Sequence, residues 1–246
     1  MRKLIDIPLS ALYLVFFGLM LLIFHPIQWI CYHFFGQKAH QKSVEVLNFF
    51  LVHGIYLTGS TVRFHMQEPL TAGTPYIFIA NHQSMFDIPG IIWYLRKYTP
   101  LFVSKKELAK GIPSISINLR LGKAALIDRA DGKSAIIEIA KLARYVHENN
   151  FSVAIFPEGT RSRTGQLKNF QVGGVATLLK RCPNATVVPV AIENMSAFNP
   201  KGLFPLRAFT NIRFTALKAI DMTNKTVEDV VAEAKKEIAQ KLGQKI

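Results

Sequence analysis

Apolar residues crowd the start of the chain and then settle into short, separated runs. No charged residue occurs from Ile7 to Gln37, and the densest part is Leu9–Phe24, LSALYLVFFGLMLLIF. A helix needs roughly 20 apolar residues to cross a bilayer, so this run sits near the limit. Pro26 tends to break or kink a helix just beyond Phe24. A second apolar stretch follows at Val46–Leu57, VLNFFLVHGIYL. Arg2 and Lys3 precede the first run, and Lys38 and Lys42 follow it. Positive charge prefers the cytoplasmic side of a membrane, so two positive flanks disfavour a single crossing. The pattern predicts a membrane-associated helical hairpin over residues 1–60, dipping into one leaflet or lying along it with both ends cytoplasmic. The competing reading is one transmembrane helix. Asp6 and the lack of a clean small-x-small cleavage site argue against a signal peptide.

From Thr61 the pattern changes to short apolar strands alternating with amphipathic stretches. Strands are expected at Thr61–Met66, Tyr76–Ala80, Leu101–Val103, Ala124–Ile127, Ser152–Phe156 and Thr186–Ile192, with an edge strand at Asn211–Leu217. Helices are expected at Met85–Tyr98, Ser134–Glu148, Val172–Arg181 and Thr226–Leu242. In Ser134–Glu148 the apolar positions Ile136, Ile139, Ala140 and Ala143 follow helical spacing. Such alternation predicts an α/β fold over residues 61–246, a mostly parallel central sheet flanked by helices.

Composition sharpens this picture. Half of the 246 residues are hydrophobic and the formal net charge is +14. A basic protein is drawn to polyanions, and the apolar start favours an anionic membrane surface over nucleic acid. Cys31 and Cys182 are too few for a disulfide framework and lack zinc-type spacing.

Two constellations carry chemistry. Asn81-His82-Gln83-Ser84-Met85-Phe86-Asp87 follows an expected strand and opens an expected helix, at the sheet edge where α/β proteins bind ligands. An imidazole can take up and release a proton near neutral pH, so His82 can serve as a general base. Asp87 can fix its tautomer and stabilise the imidazolium, so the base could activate an acceptor hydroxyl with no serine or cysteine nucleophile. Against this, Ser84-x-x-Asp87 also reads as a capping box. The second constellation is Phe156-Pro157-Glu158-Gly159-Thr160-Arg161-Ser162. Gly159 allows an unusual dihedral, Arg161 offers a planar fork that matches a phosphate, and Thr160 and Ser162 add hydroxyls. Taken alone it also reads as a turn with a solvated Glu158–Arg161 pair.

In order and spacing, Asn81-His82-x4-Asp87 and Phe156-Pro157-Glu158-Gly159-Thr160-Arg161-Ser162 resemble the glycerolipid acyltransferase family. Lys105-Lys106-Glu107-Leu108, Gly122-x4-Ile127-Asp128-Arg129 and Val188-Pro189-Val190-Ala191 resemble its intermediate and final motifs, so the likeness runs from about residue 60 to 200. The resemblance implies His82 as base with Asp87 orienting it. It implies Lys105, Arg129 and Arg161 on the acceptor phosphate, Glu158 positioning the acceptor or the arginine loop, and donors near Gly159 and Thr160 facing the thioester oxyanion. It further implies transfer of an acyl group from acyl-CoA or acyl-carrier protein, as co-substrate without other cofactor, to the 2-hydroxyl of a 1-acylglycerol-3-phosphate. The product would be phosphatidic acid. The cytoplasmic face of the inner membrane is the implied location.

Two stretches depart from the family pattern. Gly111-Ile112-Pro113-Ser114-Ile115-Ser116 has serine near a usual glycine, and Phe170-Gln171 replaces a common Phe-Lys pair. Both could alter the acceptor or the acyl-chain preference. The alternatives are therefore an acyltransferase for another lysolipid and a catalytically silent protein that binds anionic lipid; a nucleic-acid binder is suggested by charge alone.

Overall fold

The computed structural model describes residues 2–128 and 130–245. Helix α1 (Arg2–His53) is broken at Gly36, whose φ of 81° and ψ of −172° turn the chain back on itself. Only glycine adopts such a backbone without steric cost. The arms, 2–35 and 37–53, run antiparallel: the rings of Tyr32 and His40 lie 5.8 Å apart, and those of Phe24 and Phe50 5.9 Å. The fold-back is therefore at Gly36 and not at Pro26, which sits inside the first arm. Proline's fixed φ suits a helix, and its cost is a lost backbone hydrogen bond, not a reversal.

The rest is a seven-stranded sheet in the order β1-β7-β6-β2-β5-β3-β4. The strands are β1 (Thr61–Met66), β2 (Tyr76–Ala80), β3 (Pro100–Lys105), β4 (Ala125–Ile127), β5 (Ser152–Ile155), β6 (Thr186–Glu193) and β7 (Asn211–Ala216). β6, β2, β5, β3 and β4 are mutually parallel, and β7 runs antiparallel to β6 with β1 alongside it. The expected mostly parallel sheet is present. β7 is not an edge strand, since both its sides are paired. Its alternation reflects one covered and one open face of the sheet, not an open edge.

Helices cover the sheet: α2 (Asp87–Tyr94), α3 (Ile115–Leu121), α4 (Gly132–Asn149), α5 (Val172–Arg181), α6 (Met195–Phe198) and α7 (Val227–Lys241). The helix expected over Met85–Tyr98 is shorter, ending in a 3-10 turn at Arg96–Tyr98. On one face of the sheet, α4, α5 and α7 bury Ile139, Leu142, Val146, Val175, Leu178, Val230 and Ala234. On the other, both hairpin arms and α2 share a single hydrophobic cluster with the strands. Tyr13 and Phe17 of the first arm meet Phe86, each with ring centroids 5.6 Å apart.

Polar ties reinforce this joint. Ser114 stands with φ +59°, a region that favours glycine, at a departure noted in the sequence. Its hydroxyl donates to the Leu21 carbonyl at 2.6 Å, and its N–H donates to His25 Nδ1 at 3.0 Å. Two hydrogen bonds to the first arm help offset the backbone strain.

Candidate active site

β2 is buried along its whole length and delivers residues 81–87 to the carboxyl edge of the sheet. Asn81 fixes the exit. Its side-chain amide donates to the Ile192 carbonyl at 2.9 Å and accepts from the Ile192 N–H at 2.7 Å, locking β2 to β6. His82 and Asp87 then meet, with Nδ1 and Oδ2 2.8 Å apart. A carboxylate on Nδ1 selects the tautomer with that nitrogen protonated, which leaves Nε2 with a free lone pair. The same Asp87 oxygen accepts the N–H groups of Gln83 (2.7 Å) and Ser84 (2.8 Å). The fully buried Asp87 therefore shapes the loop and holds the imidazole at once. The capping box forms only by half, since Ser84 Oγ accepts from the Phe86 N–H at 3.3 Å and not from that of Asp87.

The second motif closes on the first. The His82 N–H donates to Glu158 Oε1 at 2.8 Å, and the His82 carbonyl accepts from the Ser162 N–H at 2.7 Å. The Phe156 ring stacks on the imidazole, with centroids 4.1 Å apart and planes 22° apart. Gly159 has φ +69° and donates its own N–H to the Phe156 carbonyl at 3.1 Å, which closes the turn. Lys168 Nζ donates to Thr160 Oγ1 and to the Arg161 carbonyl, both at 2.9 Å.

Beside His82 opens a cavity of about 590 Å³. Val44, Leu47 and Leu51 of the second arm and Met85, Ile88 and Ile92 around α2 give it apolar walls, while Lys105, Thr160, Arg161 and Arg163 stand on its lining. The structure thus gathers His82, Asp87, Glu158, Gly159, Thr160, Arg161 and Lys105 at one edge; Arg129 lies outside the described residues. Sequence reasoning assigns no role to the Phe156 ring, Arg163, Lys168 or the hairpin walls. The cluster of cations just after Arg161 is the one clue to Arg163 and Lys168.

Burial is the main reason that Glu158 is pushed up from 4.5 to about 7, with Asp87 adding to the rise; hydrogen bonds from the His82 and Lys168 backbone and the Lys168 charge oppose it. Between those two pH values the folded chain keeps a proton that the unfolded chain has released. Stability contributed by this group therefore falls as pH rises through that window. Glu158→Gln keeps an acceptor for the His82 N–H and removes the titration. The drop in melting temperature from pH 5 to pH 8 should be smaller in Glu158→Gln than in the unsubstituted chain; an identical drop in both would show that Glu158 does not titrate there.

A paired histidine and carboxylate beside an apolar cavity rimmed by cations can deprotonate a hydroxyl held next to an anionic group. Comparison with known proteins identifies the family and the fold. A 1-acyl-sn-glycerol-3-phosphate acyltransferase of Cocos nucifera is 35% identical over 144 residues, 56% of this chain and 45% of that protein. The beta form from Homo sapiens is 29% identical over 196 residues, 78% of this chain and 67% of that protein. The match thus spans under half the length of the coconut relative. The crystal structure of the 1-acyl-sn-glycerophosphate acyltransferase of Thermotoga maritima superposes with a TM-score of 0.80 over 98% of this chain and 96% of that one, at 21% identity, a likeness of fold. Residues 61–193, more than half the chain and containing both constellations, match the family model Acyltransferase, and the chain belongs to the acyltransferase family.

Proposed function

We propose that this chain transfers a fatty acyl group from an acyl thioester, acyl-CoA or acyl-carrier protein, to the 2-hydroxyl of a 1-acylglycerol-3-phosphate, giving phosphatidic acid. The observation that carries the reading is the His82–Asp87 pair at 2.8 Å, beside an apolar cavity with cations on its lining. His82 Nε2 takes the hydroxyl proton as the oxygen attacks the thioester carbonyl. Asp87 stabilises the imidazolium. Collapse of the tetrahedral intermediate expels the thiolate, which recovers the proton from His82. The cavity walls of Leu47, Leu51, Met85 and Ile92 suit an acyl chain. Glu158 ties the two motif loops together through the His82 backbone, a positioning role.

Lys105, Arg129 and Arg161 would grip the acceptor phosphate, with Arg163 and Lys168 close to the same loop. Arg161→Ala is expected to raise the KM for the lysolipid acceptor far more than that for the acyl donor. Arg161→Lys should rescue only partly, since lysine lacks the bidentate fork. The test is a steady-state assay of the purified protein across several lysolipids with both classes of donor. Equal turnover of acceptors with and without a phosphate would sink the clamp and point to another lysolipid.

The exposed apolar side of the first arm, including Leu12, Val15, Leu19, Leu22, Trp29, Phe34 and Phe35, would sit in one leaflet. The positive flanks of the hairpin favour the cytoplasmic face of the membrane for the catalytic edge.

A further inference from the structure

The segment joining β6 to β7 leaves the sheet at the same carboxyl edge as His82, because β6 is parallel to β2. Within it Leu203, Phe204 and Phe209 are 53%, 47% and 63% exposed. Three large apolar side chains in one short exposed stretch are uncommon on a soluble surface. They are interleaved with the exposed cations Lys201 and Arg207, while Leu206 and Ala208 point inward. Aromatic rings beside cations suit the boundary between acyl chains and anionic headgroups.

The segment is also held firmly. Ser10 Oγ accepts the Leu206 N–H at 2.8 Å, Asp6 Oδ1 accepts the Ala208 N–H at 2.9 Å, and the Thr58 carbonyl accepts the Phe209 N–H at 3.3 Å. Phe209 itself has φ +54°, a strained conformation for a bulky residue. The backbone is thus fixed in a shape that turns an aromatic ring outward. The partners Asp6 and Ser10 belong to the first hairpin arm, whose neighbouring Leu4, Ile5, Ile7 and Leu12 are exposed. The apolar surface therefore continues from the arm onto the segment.

We propose that residues 201–209 form a second membrane-inserting element, in which Leu203, Phe204 and Phe209 enter the same leaflet as the hairpin while Lys201 and Arg207 meet anionic headgroups. This inference rests on the proposed membrane docking of the hairpin and extends it. A membrane-facing surface widened from the arm onto this segment would help fix the tilt of the domain and hold the His82 edge against the lipid, where a membrane-resident acceptor arrives.

The test uses the full chain and vesicles of phosphatidylcholine and phosphatidylglycerol carrying bromines on the acyl chains near the headgroup. Tryptophan quenching is compared between Trp29→Phe and the double variant Trp29→Phe/Phe209→Trp, with Trp93 as common background. Markedly stronger quenching in the double variant is expected. A triple variant, Leu203→Ser/Phe204→Ser/Phe209→Ser, should bind these vesicles about tenfold or more weakly with an unchanged melting temperature. Equal quenching in the two tryptophan variants while both still sediment with vesicles would overturn the second anchor and leave the hairpin reading intact. So would unchanged vesicle affinity in the triple variant alongside loss of a lipid-free dimer, which would assign the patch to a second copy. Failure of the unsubstituted chain to bind vesicles at all would overturn both.

Discussion

His82→Ala is expected to lower kcat by at least about a hundredfold, since general-base catalysis is worth about 10²–10⁴-fold. A lipid hydroxyl is a poor nucleophile near neutral pH, and its proton must leave as the carbon–oxygen bond forms. His82 is the histidine placed to take it: Nδ1 faces Asp87 and the residue lines the apolar cavity. The substitution removes the ring but not the backbone bonds to Glu158 and Ser162, so the loop should hold its shape. The melting temperature should fall moderately, by the loss of one hydrogen bond to the Asp87 carboxylate and of the Phe156 stack, with the protein still folded. Asp87→Asn is a different case. Its Oδ2 accepts from His82, Gln83 and Ser84 in a fully buried place. The amide should lower kcat by losing the charge that stabilises imidazolium, and should also lower stability, because bonds to charged groups contribute about 1.5–3 kcal/mol each. A helix-capping role alone would lower stability and leave turnover intact. Measuring kcat and the melting temperature on the same two preparations separates these. Incubation with acyl donor alone should leave the protein mass unchanged, since the proposed base activates the acceptor directly. Near-normal turnover of His82→Ala would end the mechanism.

What can be read from the chain follows from the range of the interactions involved. β2 and β5 are short apolar runs buried on both faces, and such runs announce themselves locally. The two motifs are legible because each sits at the end of such a strand. The fold-back at Gly36 is not, since one glycine in a long apolar segment carries little weight beside Pro26, and the need for a left-handed φ exists only once the arms pack. α3 is seven residues, ISINLRL, with no clear apolar period, and it owes its existence to contacts with the first arm through Ser114. The stack of Phe156 on His82 joins two distant residues by way of neighbouring strands β2 and β5, a relation that sequence spacing does not encode.

Removing residues 1–58 is expected to abolish the folded domain rather than release a soluble one. The change of pattern near residue 60 marks where helices give way to strands, but the packing runs straight across it. Tyr13, Phe17, Leu21, Phe24, Val44, Leu47, Leu51, Val52 and Ile55 all belong to the cluster that includes Phe86, Ile91, Leu95, Phe198 and Phe214. Each large side chain kept from water contributes about 1.5–3 kcal/mol, whereas the net stability of a domain is about 5–15 kcal/mol. Uncovering Phe86, Ile91, Leu95 and Phe198 together would thus cancel most or all of it. The truncation also deletes the partners of Ser114, Leu206 and Ala208, and it strips Leu47 and Leu51 from the cavity wall beside His82. The contrast is with a protein whose anchor is a tether, where cutting the anchor costs membrane affinity and nothing else. Here the hairpin is one wall of the cavity beside His82, so the proposed membrane docking and the assembly of the site cannot be separated by truncation. Circular dichroism and light scattering on residues 59–246 should show aggregation without a cooperative melt. A monomeric fragment that melts cooperatively and turns over a detergent-dispersed lysolipid at the full-length rate would show that the hairpin is dispensable to the fold.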